Sequence, residues 1–119
     1  RNADLLTGMP EAEIEGAILV ANLPYLDRAI AKTYPLEIRR GLKFEPSSAL
    51  YAGKRGTAVY EKLFSQIARL KIRPQCLIIE IDSHYWRDFL KLAKKSFPSC
   101  NVAAKKDYAG KYRMITIDF

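Results

Sequence analysis

The chain contains two short apolar runs, and apolar residues between them recur at helical spacing. The first run, over residues 16–21, shows no alternation of polar and apolar positions, which is typical of a strand buried on both faces. The second run, over 76–81, has the same character. Between them, apolar residues recur at helical spacing and predict a helix that begins after Gly56-Thr57, with a stripe of Val59, Leu63, Ile67 and Leu70.

The remainder of the chain predicts a second helix and a hairpin. Ser83 is a candidate cap for the helix, Pro98 ends it, and its inner face carries Trp86, Phe89, Leu90, Ala93 and Phe97. A weak strand over 102–105, a turn over 107–110 and a last strand over 114–119 predict an antiparallel pair. Because strand–helix–strand units give parallel strands, we expect an α/β fold whose mixed sheet ends in an antiparallel hairpin.

Two segments show no long regular period. Residues 1–16 predict a polar connector with a turn, and residues 26–56 predict an extended loop with one or two helical turns. Loops of that length in compact domains are usually functional or disordered. Ligands of open sheets bind beyond the carboxyl ends of the parallel strands. The first such end is Asn22-Leu23-Pro24-Tyr25, which makes this segment the candidate site.

The segment Asn22-Leu23-Pro24-Tyr25 offers two oxygen acceptors beside a flat ring. The Asn22 side chain supplies one acceptor, and the extended backbone that precedes a proline holds the Leu23 carbonyl outward as the other. With the Tyr25 ring, these groups suit a planar NH₂ group, either a carboxamide or the exocyclic amine of a base. Holding both N–H bonds turns the nitrogen lone pair towards an electrophile. No strong base is needed before attack, because the nitrogen can lose its proton afterwards. The alternative is a plain proline turn with a packed tyrosine.

Composition and charge narrow the classes of protein without selecting one. With 119 residues, 49% of them hydrophobic, the chain is long enough for one domain with a core. Its net charge of +7 suits RNA, DNA, an anionic membrane or an acidic protein as partner. No apolar run approaches the roughly 20 residues of a membrane helix. Cys76 and Cys100 lack metal-ligand spacing, so we expect no metal site and a reduced, cytoplasmic chain.

Motifs along the whole chain resemble those of the HemK/PrmC family, the release-factor glutamine N5-methyltransferases of the class I S-adenosylmethionine-dependent type. Asn22-Leu23-Pro24-Tyr25 is similar to the family's Asn-Pro-Pro-Tyr, a motif that DNA adenine and ribosomal RNA amino-methyltransferases share. Gly56 with Tyr60, and Leu77 to Ile81 around Glu80, also match family motifs. The more specific matches are Phe44-Glu45-Pro46 with Ala49-Leu50, and Asp107 with Gly110 and Arg113. The resemblance runs from about Asp4 to Phe119.

The resemblance implies a Rossmann-like fold, of which residues 1–119 would form the carboxyl-terminal half of the catalytic domain. It implies S-adenosylmethionine as cofactor and a peptide-chain release factor as protein substrate, with the ribosome and its RNA nearby. The catalytic residues would be Asn22, Leu23, Pro24 and Tyr25. In the family's manner, the Asn22 side chain and the Leu23 carbonyl would hold the substrate glutamine amide, and Tyr25 would pack on it.

The same resemblance assigns binding roles outside the catalytic segment. Asp4 and Leu5 resemble the acidic loop that lies near the adenine of the cofactor in this family. Asn22 would also contact the cofactor. Glu45 and Pro46 would shape the substrate side of the cleft, where Asn22 and Tyr25 also bind the substrate.

Some features depart from the family's pattern. Leu23 replaces the usual first proline, although the carbonyl it contributes survives the change, and Asp82 stands where the family often has glycine. No glycine-rich phosphate loop and no amino-terminal recognition domain occur in these residues. We therefore expect weak or no cofactor binding by the chain alone. We also expect self-association through the unpaired edge of the first strand, around Leu19.

Other functions remain open on the sequence. A DNA or ribosomal RNA amino-methyltransferase, acting on adenine N6 or guanine N2, would show the same Asn-x-Pro-Tyr, and a non-catalytic basic binding module would suit the charge. Glu80 is equally compatible with a structural hydrogen bond and with a place in the cleft. His84, at a helix start, is better explained as a capping or surface residue than as a catalytic one. A solvated face is favoured over RNA contact for the basic loop residues Arg39, Arg40 and Lys43.

Overall fold

A four-stranded mixed sheet forms the centre of the structure, a computed structural model that describes residues 3–44, 46–51 and 56–119. The strands are β1 (Ile18–Ala21), β2 (Cys76–Glu80), β3 (Asn101–Lys106) and β4 (Tyr112–Asp118), in the spatial order β1-β2-β4-β3. β1 pairs with β2 in parallel, whereas β4 pairs antiparallel with both β2 and β3. The predicted α/β class, with a mixed sheet that ends in an antiparallel hairpin, is confirmed.

Helices of very different length connect the strands. The long ones are α5 (Ala58–Arg69), which leads into β2, and α6 (Trp86–Ser96), which leads from β2 to β3. The short ones are α1 (Glu11–Ile14), α2 (Arg28–Ala31), α3 (Leu36–Leu42) and α4 (Ser47–Leu50). Within the part of the chain that the structure describes, no helix is long and apolar enough to cross a membrane.

The two connectors contain more helix than their sequences predict. The expected polar connector over 1–16 includes α1, which the fully buried Ile14 anchors. The expected loop over 26–56 includes α2, α3 and α4, so it is a series of short helices rather than an extended segment. Short helices of this kind take their stability from tertiary packing rather than from propensity, so their sequences carry little helical signal.

The core lies on one face of the sheet, beneath α5 and α6. Rings from the two helices meet there, with Tyr60 and Phe89 edge to face at a centroid distance of 4.9 Å. The sheet contributes the side chains of alternate residues, as a strand period of two requires. Core residues with little or no exposure are Tyr60, Leu63, Phe64, Ile67, Leu77, Ile79, Phe89, Ala93, Ile115 and Ile117.

The prediction that β1 is buried on both faces is wrong. β1 lies at an edge of the described sheet, and the helices α5 and α6 pack on one face only. Ile18 and Val20 belong to the other face and are 60% and 76% exposed. A continuous apolar run shows that both faces of a strand carry apolar residues. It does not show whether another element packs on each face.

Two details of the helices also differ from the predictions. On α5, Leu63 and Ile67 are buried as expected, but Tyr60 and Phe64 complete the inner face. α6 begins at Trp86 without a side-chain cap, so Ser83 does not cap it. The turn before α6 is instead held by Asp82, whose Oδ1 accepts a hydrogen bond from the His84 backbone N–H at 2.8 Å.

We expect the chain to self-associate through β1, because an edge strand leaves backbone donors and acceptors unpaired and Val20 adds exposed apolar surface. Val20→Lys should reduce the association without unfolding the protein, since exposed substitutions usually change stability by about 0.5 kcal/mol or less. The matched control is Ala103→Lys, which introduces lysine in the same cross-strand row on the opposite edge strand β3. Sedimentation equilibrium over a concentration series measures the effect, and a monomer throughout would contradict the prediction.

Candidate functional site

A cavity of about 820 Å³ opens at the carboxyl end of β1 and brings the predicted segment together with three other parts of the chain. All four residues of Asn22-Leu23-Pro24-Tyr25 line it. Its other walls include Tyr34 and Leu50 from the long connector, Asp82 and His84 from the turn after β2, and Lys111 and Arg113 from the β3–β4 hairpin. The size lies within the range of small-ligand sites, which is about 300–1,000 Å³.

The Tyr60 hydroxyl positions the segment against the sheet. Tyr60 lies on α5 and is fully buried, and its Oη is 2.6 Å from the Glu80 carbonyl oxygen and 3.1 Å from the Leu23 carbonyl oxygen. Burial raises the pKa of Tyr60 above its ordinary value, so the hydroxyl keeps the proton that it donates. A carbonyl oxygen has two lone pairs, so the Leu23 oxygen can still accept a hydrogen bond from a substrate.

The Tyr25 ring is held by a second bond to the end of β2. Its hydroxyl donates to Glu80 Oε1 at 2.9 Å. Burial, followed by the hydrogen bond to Glu80 and the charge of that carboxylate, raises the pKa of Tyr25 to about 12. Of the two roles that the sequence left open for Glu80, the geometry supports the structural hydrogen bond.

Gly56 explains why the start of α5 lies directly on the segment. Its φ is +70°, and a Cβ at this position would lie 1.9 Å from the Tyr25 carbonyl oxygen. Only glycine allows the backbone to approach so closely. The pair of Gly56 and Tyr60, noted in the sequence as a family-like spacing, therefore supports the segment from two sides.

Residues around α4 contact the residue that directly follows the segment. The Leu26 backbone N–H donates to the Leu50 carbonyl at 2.9 Å, and Leu26 forms a parallel bridge with Tyr51. Pro46 precedes α4, is exposed, and is not among the cavity residues. Glu45 lies outside the described residues. The predicted substrate-binding roles of Glu45 and Pro46 stay predictions.

Asp4 and Leu5 lie against α5 rather than in the cavity wall. The Asp4 carboxylate pairs with Lys62, and the neighbouring turn is held by the Leu6 backbone N–H, which donates to Gln66 Oε1 at 2.9 Å. Leu5 has a φ of +57°, which is uncommon for a residue other than glycine. Their predicted role near the cofactor stays a prediction.

The sequence assigned a capping or surface role to His84 and did not connect it with the site. The structure places its half-exposed imidazole in the cavity wall, with Nδ1 2.7 Å from Oδ1 of Asp82, which is 1% exposed. The signal in the sequence was the Asp-x-His spacing directly after a buried strand. Asp82 was noted there only as a departure from the family pattern.

The cavity fits part of a methyl-donating cofactor. Asn22 and the Leu23 carbonyl supply polar atoms beside the apolar side chains of Pro24 and Leu26, which suits the reacting end of such a group. The sequence holds no glycine-rich loop after a strand for its remaining part. Across the described ranges, no group of three or more His, Cys, Asp and Glu side chains is arranged to hold a metal ion.

The fold and the site define an α/β protein with a cavity at the carboxyl end of β1, lined by all four residues of Asn22-Leu23-Pro24-Tyr25. No protein-family model matches the chain. The chain is nevertheless similar to curated proteins named release factor glutamine methyltransferase. It is 27% identical over 113 residues to the protein of Dictyoglomus turgidum, a match that covers 95% of this chain and 38% of that relative.

Two further relatives with the same name support this similarity. The protein of Lactococcus lactis is 29% identical over 100 residues, which cover 84% of this chain and 36% of the relative. The protein of Pasteurella multocida is 34% identical over 105 residues, which cover 86% of this chain and 33% of the relative. The chain thus spans about a third of the length of these relatives. The predicted resemblance to the release factor glutamine methyltransferases is confirmed.

Gly56→Ala should distort the segment, whereas Gly110→Ala should not. Both glycines have a positive φ, but no atom lies within 4 Å of a Cβ built at Gly110. We expect Gly110→Ala to lower the free energy of unfolding by about 1 kcal/mol through backbone strain. Gly56→Ala should lower it by about 3 kcal/mol, because the clash with Tyr25 is added. Denaturant unfolding of both variants measures the difference, and equal losses would contradict the close contact.

Stability should fall in alkaline solution because of Tyr25. An unfolded phenol ionises near pH 10.0, whereas Tyr25 in the folded chain keeps its proton to about 12, so stability present below pH 10 is lost as the pH rises through this window. Tyr25→Phe should reduce the loss. The control Tyr108→Phe, at a fully exposed tyrosine, should leave it unchanged. Denaturant unfolding at pH values across the window tests this, and an identical pH dependence of all three proteins would refute it.

Proposed function

We propose that this chain is part of a methyltransferase that transfers a methyl group to the side-chain amide nitrogen of a glutamine in a peptide-chain release factor. The observation that carries the proposal is the position of Asn22 and Leu23. Their two oxygen acceptors stand at the carboxyl end of a parallel strand, and Tyr60 holds the Leu23 carbonyl in place. The similarity to proteins named release factor glutamine methyltransferase supports the same substrate class.

The chemistry follows from how a primary amide binds. One N–H donates to Asn22 Oδ1 and the other to the Leu23 carbonyl, so the plane of the amide is fixed and the nitrogen faces the methyl donor. The bond from Tyr25 to Glu80 keeps the ring of Tyr25 beside the amide. Such positioning lowers the barrier by holding the reactants in near-attack geometry rather than by ionising the nitrogen.

S-adenosylmethionine would supply the electrophilic methyl group on a sulfonium centre. Asn22, Leu23 and Pro24 would hold its reacting end. We assign Asp4 and Leu5 to its adenosine end, a role that the strained φ of Leu5 supports because such backbone conformations gather at ligand sites.

We further propose that residues 1–119 act as one part of a longer catalytic domain in the cytoplasm. The relatives, of which this chain covers about a third, support that arrangement. The protein substrate would approach the open side of the cavity, next to the exposed residues Arg39 and Arg40 of α3. Release factors act at the ribosome, so RNA would be close to this side.

A second candidate function is amino-methylation of adenine or guanine in RNA or DNA. The observation that favours it is a groove of about 720 Å³ beside the cavity, whose lining includes Lys32, Arg39, Arg40 and Lys43. A base amine would use the same two acceptors, and a duplex target would require the base to leave its stack. A binding module without catalysis would need the basic groove but not the amide-binding segment.

The test uses the natural full-length protein that contains this chain, methyl-labelled S-adenosylmethionine, and a release factor, ribosomal RNA and DNA as parallel acceptors. We expect label on the release factor. Asn22→Ala should lower kcat/KM about 100-fold, because the amide loses one of its two acceptors and its orientation. Asn101→Ala, at an exposed asparagine on β3, is the matched control and should act as wild type.

Label on RNA or DNA alone would favour the second candidate. Absence of transfer to any acceptor, in a folded protein, would favour a binding module. Wild-type transfer by Asn22→Ala would contradict the role of the segment. Circular dichroism of each variant separates loss of function from loss of fold.

A further inference from the structure

Asp82 and His84 form a hydrogen-bonded pair in the turn that follows β2. Asp82 is 1% exposed, and its Oδ1 accepts the His84 backbone N–H at 2.8 Å and faces His84 Nδ1 at 2.7 Å. Its other oxygen, Oδ2, accepts the Tyr34 hydroxyl at 3.4 Å. Both oxygens of the carboxylate are thus engaged, so Asp82 cannot turn away from the imidazole without losing these bonds.

The pair fixes which nitrogen of the imidazole carries the proton. A carboxylate can only accept hydrogen bonds, so Nδ1 of His84 is the donor towards Asp82. In the neutral ring, Nε2 is then left with a free lone pair. The side chain of His84 is 55% exposed, and the residue lines the cavity.

The imidazole shares one cavity with the amide-binding segment. His84 and Asp82 line the same space of about 820 Å³ as Asn22, Leu23 and Tyr25. The parallel register places the carboxyl ends of β1 and β2 side by side, with Ala21 opposite Ile79. A group bound at Asn22 therefore has the His84 ring on a neighbouring wall.

We propose that the Asp82–His84 pair accepts the proton that the substrate amide releases. This inference rests on the proposed function. In the transfer, the amide nitrogen would form a bond to the methyl carbon while the carbon–sulfur bond of the sulfonium donor breaks and leaves its electron pair on sulfur. One N–H bond must then break, and its electron pair stays on nitrogen. His84 Nε2 takes that proton directly or through one water, and the resulting imidazolium, held by the charge of Asp82, returns the proton to solvent.

Other titratable and charged groups lie beside the ring or line the same cavity. Tyr34 lies with its ring centroid 6.3 Å from that of His84, and burial, together with the charge and the hydrogen bond of Asp82, raises the pKa of Tyr34. Lys111 and Arg113 line the cavity from the hairpin.

The test compares His84→Gln with the control Lys91→Gln, on the exposed side of α6, in the natural full-length protein. We expect His84→Gln to lower kcat by about tenfold, the low end of general-base effects, because the proton leaves after attack begins. KM for the release factor should stay unchanged.

A second readout needs neither cofactor nor turnover. Nitrogen NMR of the His84 ring, assigned by its loss in His84→Gln, should show the proton on Nδ1 in the neutral form. Asp82→Asn should reduce that preference. Because Asp82 is buried, this variant can lose its fold, in which case His84→Gln alone decides.

Each outcome separates the two proposals. An unchanged kcat in His84→Gln, with Asn22→Ala inactive, would overturn the proton-acceptor role and leave the proposed function standing. A neutral ring with its proton on Nε2 would overturn it as well. Normal turnover by the Asn22→Ala variant would contradict the proposed function. This inference, which rests on that function, would then fail as well.

Discussion

The Tyr60 hydroxyl is the contact on which the site depends. One buried phenol on α5 reaches the last residue of β2 and the second residue after β1, and both contacts go to backbone carbonyls, at Glu80 and Leu23. The two carbonyls share the single hydroxyl proton, which therefore ties the ends of two parallel strands to one helix. Removing this donor would cost about 1–3 kcal/mol, which favours one position of the segment after β1.

Three further contacts fix the orientation of this segment. Gly56 lets the start of α5 touch the Tyr25 backbone, Glu80 holds the Tyr25 ring, and Leu50 accepts the next backbone N–H. Thus β2, the start of α5 and the short helix α4 each contribute one of these contacts to the five residues from Asn22 to Leu26. A segment held in this way would keep the two acceptor oxygens of the proposed amide site in place before a substrate arrives, as catalysis by positioning requires.

The sequence predicted the fold class because it depends on local signals, namely the apolar runs at 16–21 and 76–81 that form the parallel strands. The position of Asn22 to Tyr25 after the first run gave the candidate segment, which lines the cavity. The exposure of Ile18 and Val20 was not predictable, because a run of apolar residues does not state what covers it. The Asp82–His84 pair was missed because burial of Asp82 and the shared cavity arise from tertiary packing.

The most direct test of the account is the binding of a primary amide. The full-length protein would be titrated with a release-factor peptide that carries glutamine and with the same peptide carrying glutamate, which lacks both N–H donors. We predict that the glutamate peptide binds about tenfold more weakly, because two acceptor oxygens would lose their donors. Asn22→Ala should reduce that preference. Equal affinity of the wild-type protein for both peptides would contradict the amide-binding role of Asn22 and Leu23.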